Sequence, residues 1–267
     1  MDIRLLEKLA CPSCAGGRPA PREKSAAGPA LICASCGAAY PNLGGILDFA
    51  GPVVRPRLLS SQWAMEFGPI ISLYERVWRP LVTVPFSALA WELETACGLL
   101  ALSPRLDLLD LACGPGNFTR RFAETITEGT VVGADLSLPM LRKGMRELKK
   151  SGSGNIVLVR ADAARWPFAA ESFDRVHCSG GLHLFPSLPE VFASVRRSLR
   201  EGGIFVGATY CVAGSAMKRR IQDHVSSAHG FHWFKPEELR ELASRAGFTG
   251  WEERIRKQGI VFRAVRE

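Results

Sequence analysis

Two sets of residues in this chain have the types and spacing to do chemistry. Cys11, Cys14, Cys33 and Cys36 form the pattern C-x2-C-x18-C-x2-C. Two tight C-x-x-C turns let four thiolates converge on one ion, so the spacing predicts a structural zinc ribbon with a closed tetrahedral site. A pair of disulfides is the competing reading. It needs an exported chain, and the charged residues Asp2, Arg4, Glu7 and Lys8 interrupt any secretory pattern in the opening stretch. The second set is "LLDLACGPGNF", beginning at Leu108. Gly114 and Gly116 let a backbone turn sharply and approach a ligand at a strand-to-helix junction. Nineteen residues after Gly116, Asp135 ends an apolar run, where a carboxylate accepts hydrogen bonds from a ribose diol. The pair leaves two nucleotide chemistries open, because a nicotinamide fold requires the same acid. Its G-x-G-x-x-G signature is met only in part, with Thr119 in the third glycine's place.

These residues need a framework that brings strand ends together. Beyond Leu106 apolar runs alternate with helical periodicity: "LDLLDLA", a helix near 117–125, "TVVGADL", a helix near 139–150, then "NIVLVRA". The alternation continues through "FDRVHCS", a helix near 188–200 and "GIFVGATY". Such alternation predicts an α/β fold with a mostly parallel sheet, whose ligands bind at the carboxyl ends of the strands. After an irregular stretch from Cys211 to Phe231 comes the helix "KPEELRELASRAG" and a C-terminal β-hairpin that contributes one antiparallel strand. Upstream, Trp63, Phe67, Ile71, Tyr74 and Trp78 recur at spacings of three and four. That period marks an amphipathic helix or lid. The expected division is a zinc ribbon at 1–49, a linker and helical lid at 50–91, and the main domain at 92–267.

The third strand separates the two nucleotide chemistries. "RADAARWPF" places Asp162 and Ala163 where a carboxylate can meet an adenine amine. From there the chain resembles the class I S-adenosylmethionine-dependent methyltransferases over residues 92–265, through "DLACGPG", "GADLS", "ADAARWPF" and "LREGGIFVGATY". "FGPIISLYERVWRP", "CSGGLHLFP" and "FHWFKPEEL", with the ribbon running into "YPNLGGILDF", resemble the ubiquinone-biosynthesis-type subgroup. The resemblance implies a Rossmann-like sheet and S-adenosylmethionine as methyl donor. It implies donor contacts from Asp110, Ala112, Gly114, Gly116, Asp135, Leu136, Met140, Asp162, Ala163 and Ser179. Tyr74, Trp78, Tyr210 and Trp233 are expected around the acceptor. His183 is the candidate catalytic residue, with a base, an orienting hydrogen bond and a structural role all open; His177 is expected in the core.

Composition bounds the acceptor. With 47% hydrophobic and 22% charged residues the chain buries a sizeable core. Its most apolar stretch, from Pro80, carries Glu92 and Glu94, so no membrane insertion and a cytoplasmic location are expected. A net charge of +8 leaves RNA open as a partner, and a ribosomal RNA guanine-N1 methyltransferase family also joins a ribbon to this fold. No Pro-Pro-aromatic motif follows the fourth strand, and Cys178 lacks the Pro-Cys context of base-C5 enzymes. Cys97, Cys113, Cys178 and Cys211 read as core side chains. The expected activity is methyl transfer to a small, largely hydrophobic molecule. RNA modification and a non-catalytic cofactor-binding scaffold or activator are the alternatives, and the oligomeric state is undetermined.

Overall fold

The computed structural model describes residues 3–14, 16–22, 30–51, 89–151, 154–163, 165–229 and 231–267. Tyr74, Trp78 and most of the expected lid lie outside the described residues. The leader contains helix α1 (Ile3–Glu7) and strands β1 (Pro19–Arg22), β2 (Ala30–Cys33) and β3 (Ala39–Pro41), followed by β4 (Ile46–Asp48). Helix α2 (Leu89–Leu100) leads into β5 (Leu108–Leu111), α3 (Asn117–Ala123), β6 (Val131–Asp135), α4 (Leu138–Ser151) and β7 (Ile156–Arg160). After β8 (Phe173–Ser179) come a 3-10 turn at Leu182–Leu184, α5 (Leu188–Ser198) and β9 (Leu199–Tyr210). The chain ends with α6 (Ala216–His229), α7 (Pro236–Arg245), β10 (Phe248–Arg256) and β11 (Gly259–Arg266).

β1, β2 and β3 form a small antiparallel sheet. The large sheet has the order β10-β11-β9-β8-β5-β6-β7-β4, and β11 alone among its described strands runs against the others. Two features differ from the sequence reading. Ile46–Asp48, assigned there to the ribbon, pairs in parallel with Leu158–Arg160 as an edge strand of the large sheet. Residues 216–229, read as irregular, are helical, and the Gln222 side chain ties this helix to the segment after β9. Its amide bonds Cys211 O and accepts the Ala213 N–H, a tertiary contact with no local sequence signal.

Period-two alternation splits the core into two layers. Leu108, Val131, Val206 and Val261 face α2 and α3, whose Ala96, Leu100, Phe118 and Phe122 are buried there. Leu109, Val132, Phe205 and Phe262 point to the opposite face. Around β8 and β9 that face is covered by Phe192 of α5 and Leu239 of α7. Over β5, β6 and β7 the expected covering element is missing, since the described residues of the 161–172 connection form no helix. The leader takes its place: Leu5, Leu9, Leu31, Tyr40 and Phe49 pack with Val159, Trp166, Phe168 and Phe173 in one cluster.

Backbone and charge fix that docking. Ala10 N–H donates to Pro167 O at 2.9 Å and Ala169 N–H to Lys8 O at 2.9 Å. The buried Lys8 ammonium lies 2.6 Å from Asp107, which Arg200 also reaches at 3.1 Å. Burial alone raises a carboxyl pKa, but these two cations outweigh it and hold Asp107 below its ordinary value. Because leader and sheet share one core, Leu9→Ala is expected to destabilise the whole chain by about 2–5 kcal/mol. Chemical denaturation followed by tryptophan fluorescence and far-UV circular dichroism should give one coincident transition; separate transitions for leader and sheet would contradict the shared core.

Candidate active site

Three alternating residues give the loop after β5 its shape. Ala112, Gly114 and Gly116 have φ of 54°, 57° and 78°, in the left-handed region. The two glycines adopt it without steric cost, whereas an alanine there is strained by roughly 1–2 kcal/mol. Space for the Ala112 methyl comes from another loop, because a Cβ placed on Gly181 would lie 2.5 Å from the Ala112 Cβ. Close approach also explains Gly133 and Gly144. A Cβ at Gly133 would meet Leu158 at 2.9 Å and Cys113 Sγ at 3.1 Å, and one at Gly144 would meet Pro115 O at 3.1 Å.

Asp135, at the tip of β6, joins this turn directly. One carboxylate oxygen accepts the Gly114 N–H at 2.7 Å, and the other accepts Ser137 N–H at 2.8 Å. Asp110 lies differently from its expected place among the donor contacts. It is 1% exposed, with Thr119 Oγ1 donating to one oxygen at 2.5 Å and His177 Nδ1 to the other at 2.7 Å. The carboxylate therefore acts on the turn from beneath, as the buried anchor of α3 and β8. His177 stacks on Phe118 at 4.9 Å and meets the edge of Phe122. Thr119, noted on sequence only as a departure from a glycine pattern, is what ties the helix to Asp110.

The neighbouring strand ends complete the edge. Asp162 and Ala163 follow β7, and Ala161 N–H donates to Asp135 O at 3.0 Å. Leu136 is half-buried after β6, and Met140 is buried in α4. Ser179, at the end of β8, has a buried hydroxyl without a hydrogen-bond partner, as has Nδ1 of His183 four residues later. Burial in apolar surroundings, with a smaller contribution from His232, pushes the His183 pKa down to about 3, so its imidazole is neutral at physiological pH.

His183 stands in an aromatic group. Its ring stacks on Phe231 at 4.0 Å and lies 5.9 Å from Tyr210. Trp233 closes the group at 4.5 Å from Phe231, its indole N–H donating to Gln222 O. Tyr210, expected near the acceptor, thus meets His183 directly, and Trp233, also expected there, joins the group through Phe231 and Tyr210. Phe231 was missed, and its signal was the aromatic run "FHWF" itself. A cavity of about 330 Å³ opens beside Gln222, Phe231 and Trp233. A second, of about 640 Å³, lies between the Leu182–Pro189 loop and α7. Both volumes suit a small organic molecule. Burial pushes the Cys178 thiol far above its ordinary pKa, which removes it as a nucleophile.

The Sγ atoms of Cys11, Cys14, Cys33 and Cys36 all lie within 4.8 Å of one another. Cys11 and Cys36 are 3.6 Å apart, and Cys14 and Cys33 3.7 Å apart. A disulfide requires about 2.05 Å, whereas ligands of a tetrahedral Zn–S site at about 2.3 Å are separated by about 3.8 Å. The donor set and spacing therefore fit a closed thiolate site. The Tyr40 hydroxyl, 3.0 Å from Cys11 Sγ, supports it from outside.

Residues 108–203 match the family described as a methyltransferase domain. An uncharacterized chloroplastic methyltransferase of Arabidopsis thaliana is 31% identical over 245 residues, spanning 86% of this chain and 68% of the relative. The chain belongs to the S-adenosylmethionine-dependent methyltransferases. A ubiquinone/menaquinone biosynthesis C-methyltransferase of Ectopseudomonas mendocina is 33% identical over 130 residues, 48% of this chain and 51% of that protein. The methyltransferase spans only 46% of the length of a second Arabidopsis relative, also an uncharacterized chloroplastic methyltransferase. Its fold aligns with phosphoethanolamine N-methyltransferase 2 of Haemonchus contortus in complex with S-adenosyl-L-methionine. The TM-score is 0.65 at 18% identity, covering 81% of this chain and 60% of the other.

The contact between Ala112 and Gly181 predicts coupling within the methyltransferase. Gly181→Ala should destabilise the protein by about 1–3 kcal/mol through the clash with Ala112. Ala112→Gly removes that methyl, so the double variant should recover part of the loss. A double-mutant cycle by denaturation measures it, and strictly additive effects would show that the two residues do not meet.

Proposed function

We propose that this methyltransferase moves the methyl group of S-adenosylmethionine to a small, largely hydrophobic acceptor held beside His183. The observation that carries this reading is the aromatic group of His183, Tyr210, Phe231 and Trp233 at the carboxyl ends of β8 and β9, next to the glycine turn. When bound, S-adenosylmethionine supplies a methyl group on a sulfonium, activated for in-line displacement. Asp135 binds the ribose, Asp162 and Ala163 meet the adenine, and Leu136 and Met140 flank it. Gly114, Gly116 and the Ala112 backbone shape the turn around the rest, with Ser179 offering its hydroxyl. Tyr74 and Trp78 belong to the proposed lid.

The chain's own contribution to transfer is positional. Holding acceptor and donor in line at near-attack distance accounts for much of the rate of such a step. A neutral His183 orients the acceptor by a hydrogen bond to Nδ1 better than it stores a proton. The ubiquinone-type subgroup remains the proposed placement. A structural zinc on Cys11, Cys14, Cys33 and Cys36 would stiffen the leader, with the division 1–49, 50–91 and 92–267 modified by the transfer of β4 to the large sheet.

The distribution of charge is divided, since the exposed Arg219 lines the cavity beside Phe231 and Trp233, and the preference for a small molecule over RNA rests on the aromatic group. Helices α4 and α5 run antiparallel to the strands, so their basic last turns, with Lys149, Lys150, Arg196 and Arg197, lie at the amino edge of the sheet, away from the donor turn. Incubation with methyl-labelled S-adenosylmethionine and a cell extract is expected to place label in the organic phase. Label mainly in RNA would overturn the small-molecule reading in favour of RNA modification, and no transfer despite donor binding would favour a scaffold or activator. With an acceptor in hand, His183→Ala should slow transfer while leaving S-adenosylhomocysteine affinity unchanged. Since the imidazole is already neutral above about pH 3, the rate should show no inflection near pH ~6.5 that belongs to His183. A step there that His183→Asn abolishes would assign it as a proton acceptor instead.

A further inference from the structure

We propose that the leader completes the methyl-donor pocket, with Asp48 acting through Arg160 as a positioning residue for the adenosyl-binding segment; this rests on the donor reading above. Strand β4 sets Asp48 opposite Arg160, and their side chains meet at 2.9 Å with exposures of 9% and 15%. The same guanidinium reaches across β7, its Nε–H donating to Leu136 O at 3.1 Å. Leu136 directly follows Asp135, so one planar, charged group bridges the leader and the tip of the ribose-side strand. A second Nη1 contact, to Gly51 O at 3.3 Å, lies on the leader side.

Backbone bonds reinforce the bridge on both flanks. Phe49 N–H donates to Arg160 O at 2.8 Å, and Ala161 N–H donates to Asp135 O at 3.0 Å. On the far side of Asp162 and Ala163, Arg165 Nη2 donates to Ala50 O at 3.0 Å. The segment bearing both adenine-side residues is thus gripped between Asp135–Leu136 and Asp48–Gly51. Loss of the Asp48 carboxylate leaves a sparsely exposed guanidinium without its counter-charge. Such a group turns towards water, because an unpaired charge at low exposure costs far more than the pair contributes. Its bond to Leu136 O then goes, and the residue that follows Asp135 loses its tie to the leader. Lysine cannot replace the guanidinium, since it lacks the fork that spans two acceptors at once.

Calorimetric titration of the full chain with S-adenosylhomocysteine, alongside thermal unfolding, tests this. Asp48→Ala and Arg160→Lys are each expected to weaken binding roughly fivefold to tenfold, and Asp48→Glu to restore most of it. Ile46→Val trims the same strand without touching Arg160, and should lower the melting temperature while leaving affinity unchanged. If Asp48→Ala does not fold, Arg160→Lys carries the comparison. A folded Asp48→Ala that binds as the wild type does, or an Ile46→Val that weakens binding equally, overturns the positioning role. A wild-type chain with no affinity for S-adenosylhomocysteine overturns the donor reading itself.

Discussion

A parallel sheet has two apolar faces, and each must be covered. In this protein the described residues of the connection between β7 and β8 form no helix, and Trp166 and Phe168 are buried along it. It leaves the area over β5, β6 and β7 for another part of the chain to fill. The amino-terminal leader does so with Leu5, Leu9, Leu31 and Phe49. A small antiparallel sheet of this size has too little apolar surface to stand by itself. Its dependence on the sheet and the sheet's need of a cover are therefore one constraint seen from two sides. The four-cysteine cluster, far upstream of the glycine turn in sequence, lies in the element that meets this need.

That docking carries the leader to the functional edge. Once α1 and the small sheet are packed, the chain emerges beside β7 and adds β4 in parallel, with Asp48 at the level of Arg160. The donor turn is organised from beneath by the same economy of pairing. Asp110 is buried and cannot remain without partners. Thr119 and His177 satisfy it, which locks α3 and β8 to the base of the turn. Ala112 adds strain in the left-handed region, accommodated only because residue 181 has no side chain.

Around His183, polarity is handled in the opposite way. Ser179 Oγ and His183 Nδ1 are buried and lack hydrogen-bond partners, while the rings of Phe231 and Tyr210 surround the imidazole. A neutral histidine among aromatic walls is suited to hold a weakly polar molecule in one orientation. Transfer from an activated sulfonium demands that orientation more than it demands acid or base strength.

Much of this was legible in one dimension. The alternation of apolar runs with helical periodicity established β5 to β9 as parallel strands, and the spacing of the two glycines and Asp135 put a tight turn and a carboxylate at neighbouring strand ends, because strand ends and tight turns are local features. The paired C-x-x-C knuckles were readable for the same reason. Tertiary structure decided what depends on residues far apart. It moved β4 from the ribbon into the large sheet, turned Asp110 inward to Thr119 and His177, and brought Phe231 onto His183. It also tied the helix at residues 216–229 to Cys211 and Ala213 through the side chain of Gln222. Each of these follows from burial and the pairing of polar groups, and neither can be known until the chain has closed upon itself.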